Sequence, residues 1–159
     1  MTAAWRVVAG FLAAPELAAL RALCAEPARA WDRGRQDTGY FKSAIDPADP
    51  FLAALIARSL AALYPGARHG HDTWLLRYPD GSSIPPHVDP PLRDGARHAR
   101  LNAIIAAPPA GGELRLDDQP IALAAGDAVV FYPDRVRHQV SAVTGGERWI
   151  WSVGCNHDA

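Results

Sequence analysis

A chain of 159 residues, 49% hydrophobic and 21% charged, has the size and balance of one folded domain with its own core. A formal net charge of −1 argues against a nucleic-acid binder held mainly by phosphate contacts, which needs a clear basic excess. No apolar run approaches the roughly 18 residues needed to cross a bilayer, and the N-terminus does not read as a signal peptide. A cytoplasmic protein with neither membrane nor nucleic-acid partner is expected.

The first third reads helical. In "APELAALRALCAE" (14–26), Pro15 suits a first turn, and apolar residues at 17, 20, 23 and 24 lie on one helix face. Cys24 in this segment and Cys155 near the other terminus form no metal or redox pattern, so two separate thiols are expected. The polar stretch "WDRGRQDTGYFKSAID" (31–46) lacks helical period and reads as an edge strand or a mobile loop. "DPADPFLAALIARSLAALYPG" predicts a second helix, with Asp46 as cap, Pro47 or Pro50 opening it and Pro65-Gly66 ending it.

From residue 71 the texture changes to short apolar runs punctuated by Gly, Pro and Asp. Strands are predicted near 72–78, 84–89, 99–106, 112–116, 120–123, 127–132, 137–143 and 147–154. So many strands without an intervening helix imply an antiparallel sandwich or small barrel, with the two helices packed on one outer face. The expected organisation is a single domain over 1–159, with helical support from 1–66 and a β core from 71–156.

Within "SSIPPHVDPP" (82–91), His87 and Asp89 are two apart, so on a strand they point to the same side while Val88 turns away. The flanking prolines keep the pair out of a longer ladder. An imidazole and a carboxylate are two of the three ligands of a non-haem iron(II) facial triad. His138, at the start of a distant strand, is the candidate third ligand. His69 and His71 lie in a Gly-rich loop, His98 sits between arginines, and His157 is terminal. A surface turn with a hydrogen-bonded His–Asp pair is the plain alternative. Ten residues beyond His138 comes Arg148. On a strand over 147–154 it shares a face with Ile150 and Ser152, opposite Trp149, Trp151 and Val153. Facing inward, its guanidinium would need a carboxylate; facing outward, it would be an ordinary surface charge.

The ordered series Tyr78-Pro79-x-Gly81, His87-Val88-Asp89, Gly111-Gly112-Glu113-Leu114, Gly126-Asp127-x-Val129-Val130-Phe131, His138-x-Val140 and Gly145-x-x-Arg148 resembles the 2-oxoglutarate- and iron(II)-dependent oxygenases, most of all their prolyl 4-hydroxylase-like branch. The likeness covers roughly 72–155. It implies a mainly β fold with N-terminal helices, the double-stranded β-helix (jelly-roll) barrel. It also implies Fe(II) on His87, Asp89 and His138, and 2-oxoglutarate as cosubstrate with its distal carboxylate on Arg148. By the same likeness Ser152, Tyr78 and Asn102 line the cosubstrate pocket, and O2 takes the last metal position. The implied reaction hydroxylates an unactivated C–H bond of a small molecule or an amino-acid side chain, free or peptidyl, and releases succinate and CO2. Asp89 disfavours halogenation, since related halogenases replace that carboxylate.

Two positions depart from the branch: Ala106-Ala107-Pro108 stands where a tyrosine followed by Leu-Asn is usual, and Gly154 where a Trp is common. Both enlarge the pocket and count against a peptidyl-proline substrate. Trp74 and Arg97 are the candidate substrate contacts, and 31–46 or 90–100 could close over the site. The competing readings are a non-catalytic cupin-like metal-binding or sensor module, and a nucleic-acid dealkylase of the same superfamily. The second would carry another inward arginine where this chain has Gly154.

Overall fold

The computed structural model describes residues 4–35, 38–63, 69–92 and 95–157. The first elements are β1 (Trp5–Val8), α1 (Ala14–Ala25), β2 (Asp32–Arg33), β3 (Phe41–Ala44) and α2 (Pro50–Leu63). Then come β4 (His69–Tyr78), β5 (Ile84–His87), β6 (Arg97–Ala106), β7 (Ala110–Gly111), β8 (Leu114–Leu116) and β9 (Gln119–Ile121). β10 (Ala128–Phe131), β11 (His138–Val140), β12 (Val143–Thr144) and β13 (Arg148–His157) complete the chain.

Helix α1 starts with half of a capping box. The Glu16 carboxylate accepts the Ala13 N–H at 2.8 Å, while Ala13 has no side-chain acceptor to return the bond. Arg58 of α2 holds the same carboxylate at 2.7 and 2.8 Å, joining the two helices and keeping it below the usual carboxyl range. The cap of α2 is Asp49, not Asp46. Its Oδ1 accepts the N–H groups of Phe51 and Leu52, because Pro50 opens the helix and the residue before it becomes the cap. Asp46 instead closes a turn just upstream by accepting the Ala48 N–H at 2.9 Å. The expected Pro65-Gly66 stop lies outside the described residues.

The strands form a seven-stranded sheet, β1-β10-β6-β13-β4-β3-β2, and a four-stranded sheet, β5-β11-β8-β9, with β12 and β7 as a separate pair. Every pairing is antiparallel. This is the expected double-stranded β-helix, with one correction. Among the described residues the edges of the two sheets do not pair with each other, so no closed barrel forms. The segment 31–46 resolves as an edge hairpin, β2–β3, that widens the large sheet beside β4. Strands β1 and β7, which the sequence pattern did not suggest, are only 4 and 2 residues long.

Alternation along β13 organises the molecule. Trp151, Val153 and Cys155 face the helices and pack with Leu20, Cys24, Leu52 and Leu55. Trp151 is fully buried, and its indole N–H reaches the Ser59 hydroxyl at 3.0 Å, which donates to the Leu55 carbonyl at 2.8 Å. Burial pushes the Cys24 thiol up to about 12, and both cysteines are buried and free. Arg148, Ile150 and Ser152 take the opposite face, toward the small sheet. There Leu114, Leu116, Val129, Phe131, Val136 and Val140 close one end of the inter-sheet space, and a cavity occupies the rest. Among the described residues no helix is long and apolar enough to cross a membrane.

Candidate active site

His87 and His138 are directly opposed across β5 and β11, with ring centroids 4.1 Å apart. Each ring is aimed by a main-chain carbonyl two residues upstream. The Nδ1 of His87 bonds the Pro85 carbonyl at 2.9 Å, and the Nδ1 of His138 bonds the Val136 carbonyl at 3.0 Å. A carbonyl only accepts, so both Nδ1 atoms carry the proton and both Nε2 lone pairs are free. Asp89 follows the exposed Val88, and its N–H is fixed by the Pro133 carbonyl at 2.8 Å. Its Oδ1 lies 3.4 Å from His87 Nε2. On the other side Asp117 grips the residue before His138, donating its N–H to the Arg137 carbonyl at 2.8 Å and accepting the Arg137 N–H at 3.1 Å.

The three ligand atoms of His87, Asp89 and His138 lie within 4.8 Å of one another. Metal–ligand bonds of about 2.1 Å put neighbouring facial ligands roughly 3 Å apart, so this donor set fits one divalent cation with little contraction. Burial, reinforced by His87 beside it, lowers the pKa of His138 and favours the neutral imidazole that a metal needs. Arg35 donates to Asp89 Oδ1 at 2.9 Å. A carboxylate has enough lone pairs to serve a cation and an arginine together, so this contact is compatible with ligation.

Arg148 points into the same cavity and is 4% exposed. It pairs in register with Tyr78, and its guanidinium carbon lies 5.0 Å from the Tyr78 ring. Among the described residues it has no ion-pair partner, an arrangement that leaves a fixed, desolvated fork for a carboxylate from outside the chain. Tyr78 is itself stacked on Tyr40 at 5.2 Å, and burial pushes its phenol up to about 12, so it stays a donor. Gly112 (φ +65°) makes room here. A Cβ on it would come within 3.1 Å of Arg148 Cδ and 3.0 Å of Pro108.

Further along β13 lies an array that the motif reading did not anticipate. Asp72, Gly154 and Arg100 stand in register on β4, β13 and β6. Arg100 Nη2 meets Asp72 Oδ2 at 2.7 Å across the bare glycine, and a Cβ on Gly154 would collide with both side chains and with His98. Arg100 Nη1 also donates to Ser152 Oγ at 2.8 Å, and Ser152 donates to Asn102 Oδ1 at 2.7 Å. Ser152 and Asn102 thus face the cavity, engaged with Arg100. Trp74 lines the cavity too, with its indole N–H on Asp72 at 3.2 Å and the Lys42 ammonium 4.4 Å above its ring.

Arg97 shares parity with the core residues Ala99 and Leu101, pairs with His157, and is not among the residues lining the cavity. Arg100 is the arginine of this strand that enters the cavity. The alternation His98-Ala99-Arg100-Leu101-Asn102-Ala103 carried that information: the small and apolar residues mark the helix-facing side. His98 bonds Asn156 at 2.9 Å and Arg100 at 3.3 Å. The side chains of His69 and His71 lie outside the described residues.

The cavity has a volume of about 660 Å³, within the range of small-molecule sites. The β2–β3 hairpin forms one wall through Arg33, Arg35, Tyr40 and Lys42. It is pinned by Ser82 Oγ on the Gly39 carbonyl at 2.9 Å and by the Ser83 N–H on the Thr38 carbonyl at 3.2 Å. Of the segment 90–100, only Arg100 lines the cavity among the described residues.

A double-stranded β-helix holding a two-histidine, one-carboxylate cluster beside a buried arginine that has no acidic partner among the described residues is the arrangement of non-haem metal oxygenases that use a keto-acid cosubstrate. The sequence model of the 2OG-Fe(II) oxygenase superfamily matches residues 73–153, just over half of the chain. A PKHD-type hydroxylase of Shewanella sp. (strain MR-7) is 32% identical over 156 residues, covering 79% of this chain and 69% of the relative. A PKHD-type hydroxylase of Maricaulis maris (strain MCS10) is 42% identical over 89 residues, but there the match spans 48% of this chain and only 40% of the relative. The crystal structure of a Pseudomonas putida prolyl-4-hydroxylase superposes with a TM-score of 0.77 at 26% identity, covering 99% of this chain and 94% of that one. The chain belongs to the 2OG-Fe(II) oxygenase superfamily. Iron(II) and 2-oxoglutarate are therefore the cofactor and cosubstrate to be placed in its cavity.

Proposed function

We propose that the chain is a 2-oxoglutarate-dependent hydroxylase in which His87, Asp89 and His138 hold the iron and Arg148, with Tyr78, takes the distal carboxylate of 2-oxoglutarate. One observation carries the reading: a cluster of three metal donors and a buried guanidinium without an acidic partner among the described residues open into the same cavity. Bound iron(II), with 2-oxoglutarate and O2, supplies the oxidising power that turns a substrate C–H into C–OH, with succinate and CO2 as coproducts. The chain supplies position. The two carbonyl-anchored histidines present Nε2 without rotational search, and Asp89 provides the negative charge that favours a dication. The Arg148 fork and the Tyr78 hydroxyl fix one end of the cosubstrate, which orients its keto end toward the metal. The walls, among them Leu76, Ile84, Leu114, Phe131 and Val140, exclude water from the reacting centre.

The substrate we infer is a small molecule or an amino-acid side chain rather than nucleic acid. The test is an anaerobic titration of the protein with Fe(II) and then 2-oxoglutarate, followed by the visible charge-transfer band. A hydroxylase gives the band and, with air and substrate, succinate. A cupin-like metal binder gives metal uptake alone and is indifferent to Arg148→Ala, and that result would end the proposal.

A further inference from the structure

The cavity has two cationic ends, and the cosubstrate accounts for only one of them. The Arg100 guanidinium lies over Ser152 and Gly154, four and six residues beyond Arg148 on β13, or about 13–20 Å of strand. A five-carbon keto-diacid anchored at Arg148 is about as long as two extended residues, so it cannot also reach the fork held over Gly154. Any ligand for the donors that Arg100 keeps free would be a group other than the cosubstrate.

Arg100 is built to meet an anion. Its five N–H donors are engaged three times among the described residues, by Ser152, Asp72 and His98, which leaves two. The engaged ones lock the plane of the guanidinium, and its side chain keeps 19% of its surface open. Lys42, lying over Trp74, has no ion-pair partner among the described residues and lines the same cavity. Arg33 lines it as well. Apart from Asp89 at the metal, Asp72 is the sole acid among the described lining residues, in a chain whose net charge is −1. Five Lys and Arg side chains line the cavity against two acids among the described residues, so this site carries a positive excess that the whole chain lacks. Asp72 in turn offers an oxygen, Oδ1, to which no hydrogen bond is assigned among the described residues, beside the arginine fork. A cation and an anion acceptor side by side, next to an indole face, match the two poles of a zwitterion.

We propose that the Asp72–Arg100–Lys42 end of the cavity is the head-group site for the substrate, and that the substrate is a small molecule of amino-acid type. Its free carboxylate is taken by Arg100 and Lys42, and its ammonium by Asp72. The inference rests on the hydroxylase reading above and narrows it. Ser152 and Asn102 then serve as positioning residues for Arg100, and Gly154 is the gap that lets Asp72 and Arg100 join.

The test uses the Fe(II)–2-oxoglutarate complex of the full chain under anaerobic conditions. Free L-amino acids, the corresponding N-acetyl amino-acid amides and capped peptides are titrated while the charge-transfer band is watched, then assayed in air for succinate. At least one free acid should perturb the band and raise succinate release, and its capped amide should not. Arg100→Gln should raise KM for that acid roughly tenfold to a hundredfold, with the 2-oxoglutarate titration unchanged. Arg100→Lys should recover part of the loss. Gly154→Ala, which keeps every charge but parts Asp72 from Arg100, should raise KM in the same direction. The inference is overturned if no free acid perturbs the band, if capped amides or peptides serve equally well, or if Arg100→Gln weakens 2-oxoglutarate instead. Absence of the band in the unaltered protein would sink the hydroxylase reading itself, a result distinct from all of these.

Discussion

Replacing Arg148 by methionine should make the ligand-free protein more stable and destroy its affinity for 2-oxoglutarate. The guanidinium is 4% exposed with no acidic partner among the described residues, and burial drives its pKa down, a sign of a charge held against its preference. Methionine keeps the unbranched stem that threads past Gly112 and Pro108, so the corridor is not overfilled. Exchanging buried charges for apolar residues of similar volume is commonly neutral or stabilising by about 1–4 kcal/mol. For a chain of this size that corresponds to a rise in Tm of roughly 2–15 °C. The loss on the ligand side is larger. Removing a desolvated charge from a carboxylate costs about 2–5 kcal/mol, a factor of roughly 30 to several thousand in Kd. Thermal unfolding with chelator, with and without saturating 2-oxoglutarate plus a divalent metal, measures both effects. The unaltered protein should gain Tm with ligand, and the Met variant should start higher and gain nothing from 2-oxoglutarate. A ligand-free variant that melts well below the parent would show that Arg148 supports the fold, and one still stabilised by 2-oxoglutarate would refute the anchor.

Chelation should lower Tm, because a metal held by His87, Asp89 and His138 binds the folded state alone. His87→Ala should abolish the metal-dependent rise while leaving the far-ultraviolet spectrum intact. Ser59→Ala should cost about 1–3 kcal/mol in a urea titration, since it leaves the buried Trp151 N–H without an acceptor. Glu147 accepts from both Nε and Nη2 of Arg77, and this pairing lowers its pKa below the usual carboxyl value. A depressed carboxyl pKa contributes stability that is fully present above the unfolded-state value near 4.5 and is lost as pH falls through the folded one. Glu147→Gln should therefore lower stability at neutral pH, by about 1 kcal/mol at most for so open a pair, and the difference should shrink as pH falls below 4.5 through the folded-state pKa. A loss that persists in acid would show another origin.

The parts of the molecule that could be read in advance are those where periodicity and chemistry coincide. Arg148, Ile150 and Ser152 take the face opposite Trp151, so one alternation separated the two sides of β13, and packing decided which side faces the cavity; His87 and Asp89 both line that cavity, although β5 ends at His87. What stayed hidden depends on neighbours in space. The union of Asp72, Gly154 and Arg100 arises from the register of three strands distant in the chain, which no local pattern encodes. The two-residue strands β2 and β7 are too short for a period to show. The α2 cap moved from Asp46 to Asp49 because two Asp-Pro-like starts compete, and only packing decides which proline opens the helix.

Both metal-facing imidazoles are steered by main-chain carbonyls two residues upstream, those of Pro85 and Val136, and among the described residues not by any distant carboxylate or amide at Nδ1. The aim of the two rings thus depends on main-chain acceptors, which substitution of a neighbouring wall side chain does not remove. Lineages carrying this arrangement are free to rewrite the surrounding walls, and with them the choice of substrate, without retuning the centre that performs the oxidation.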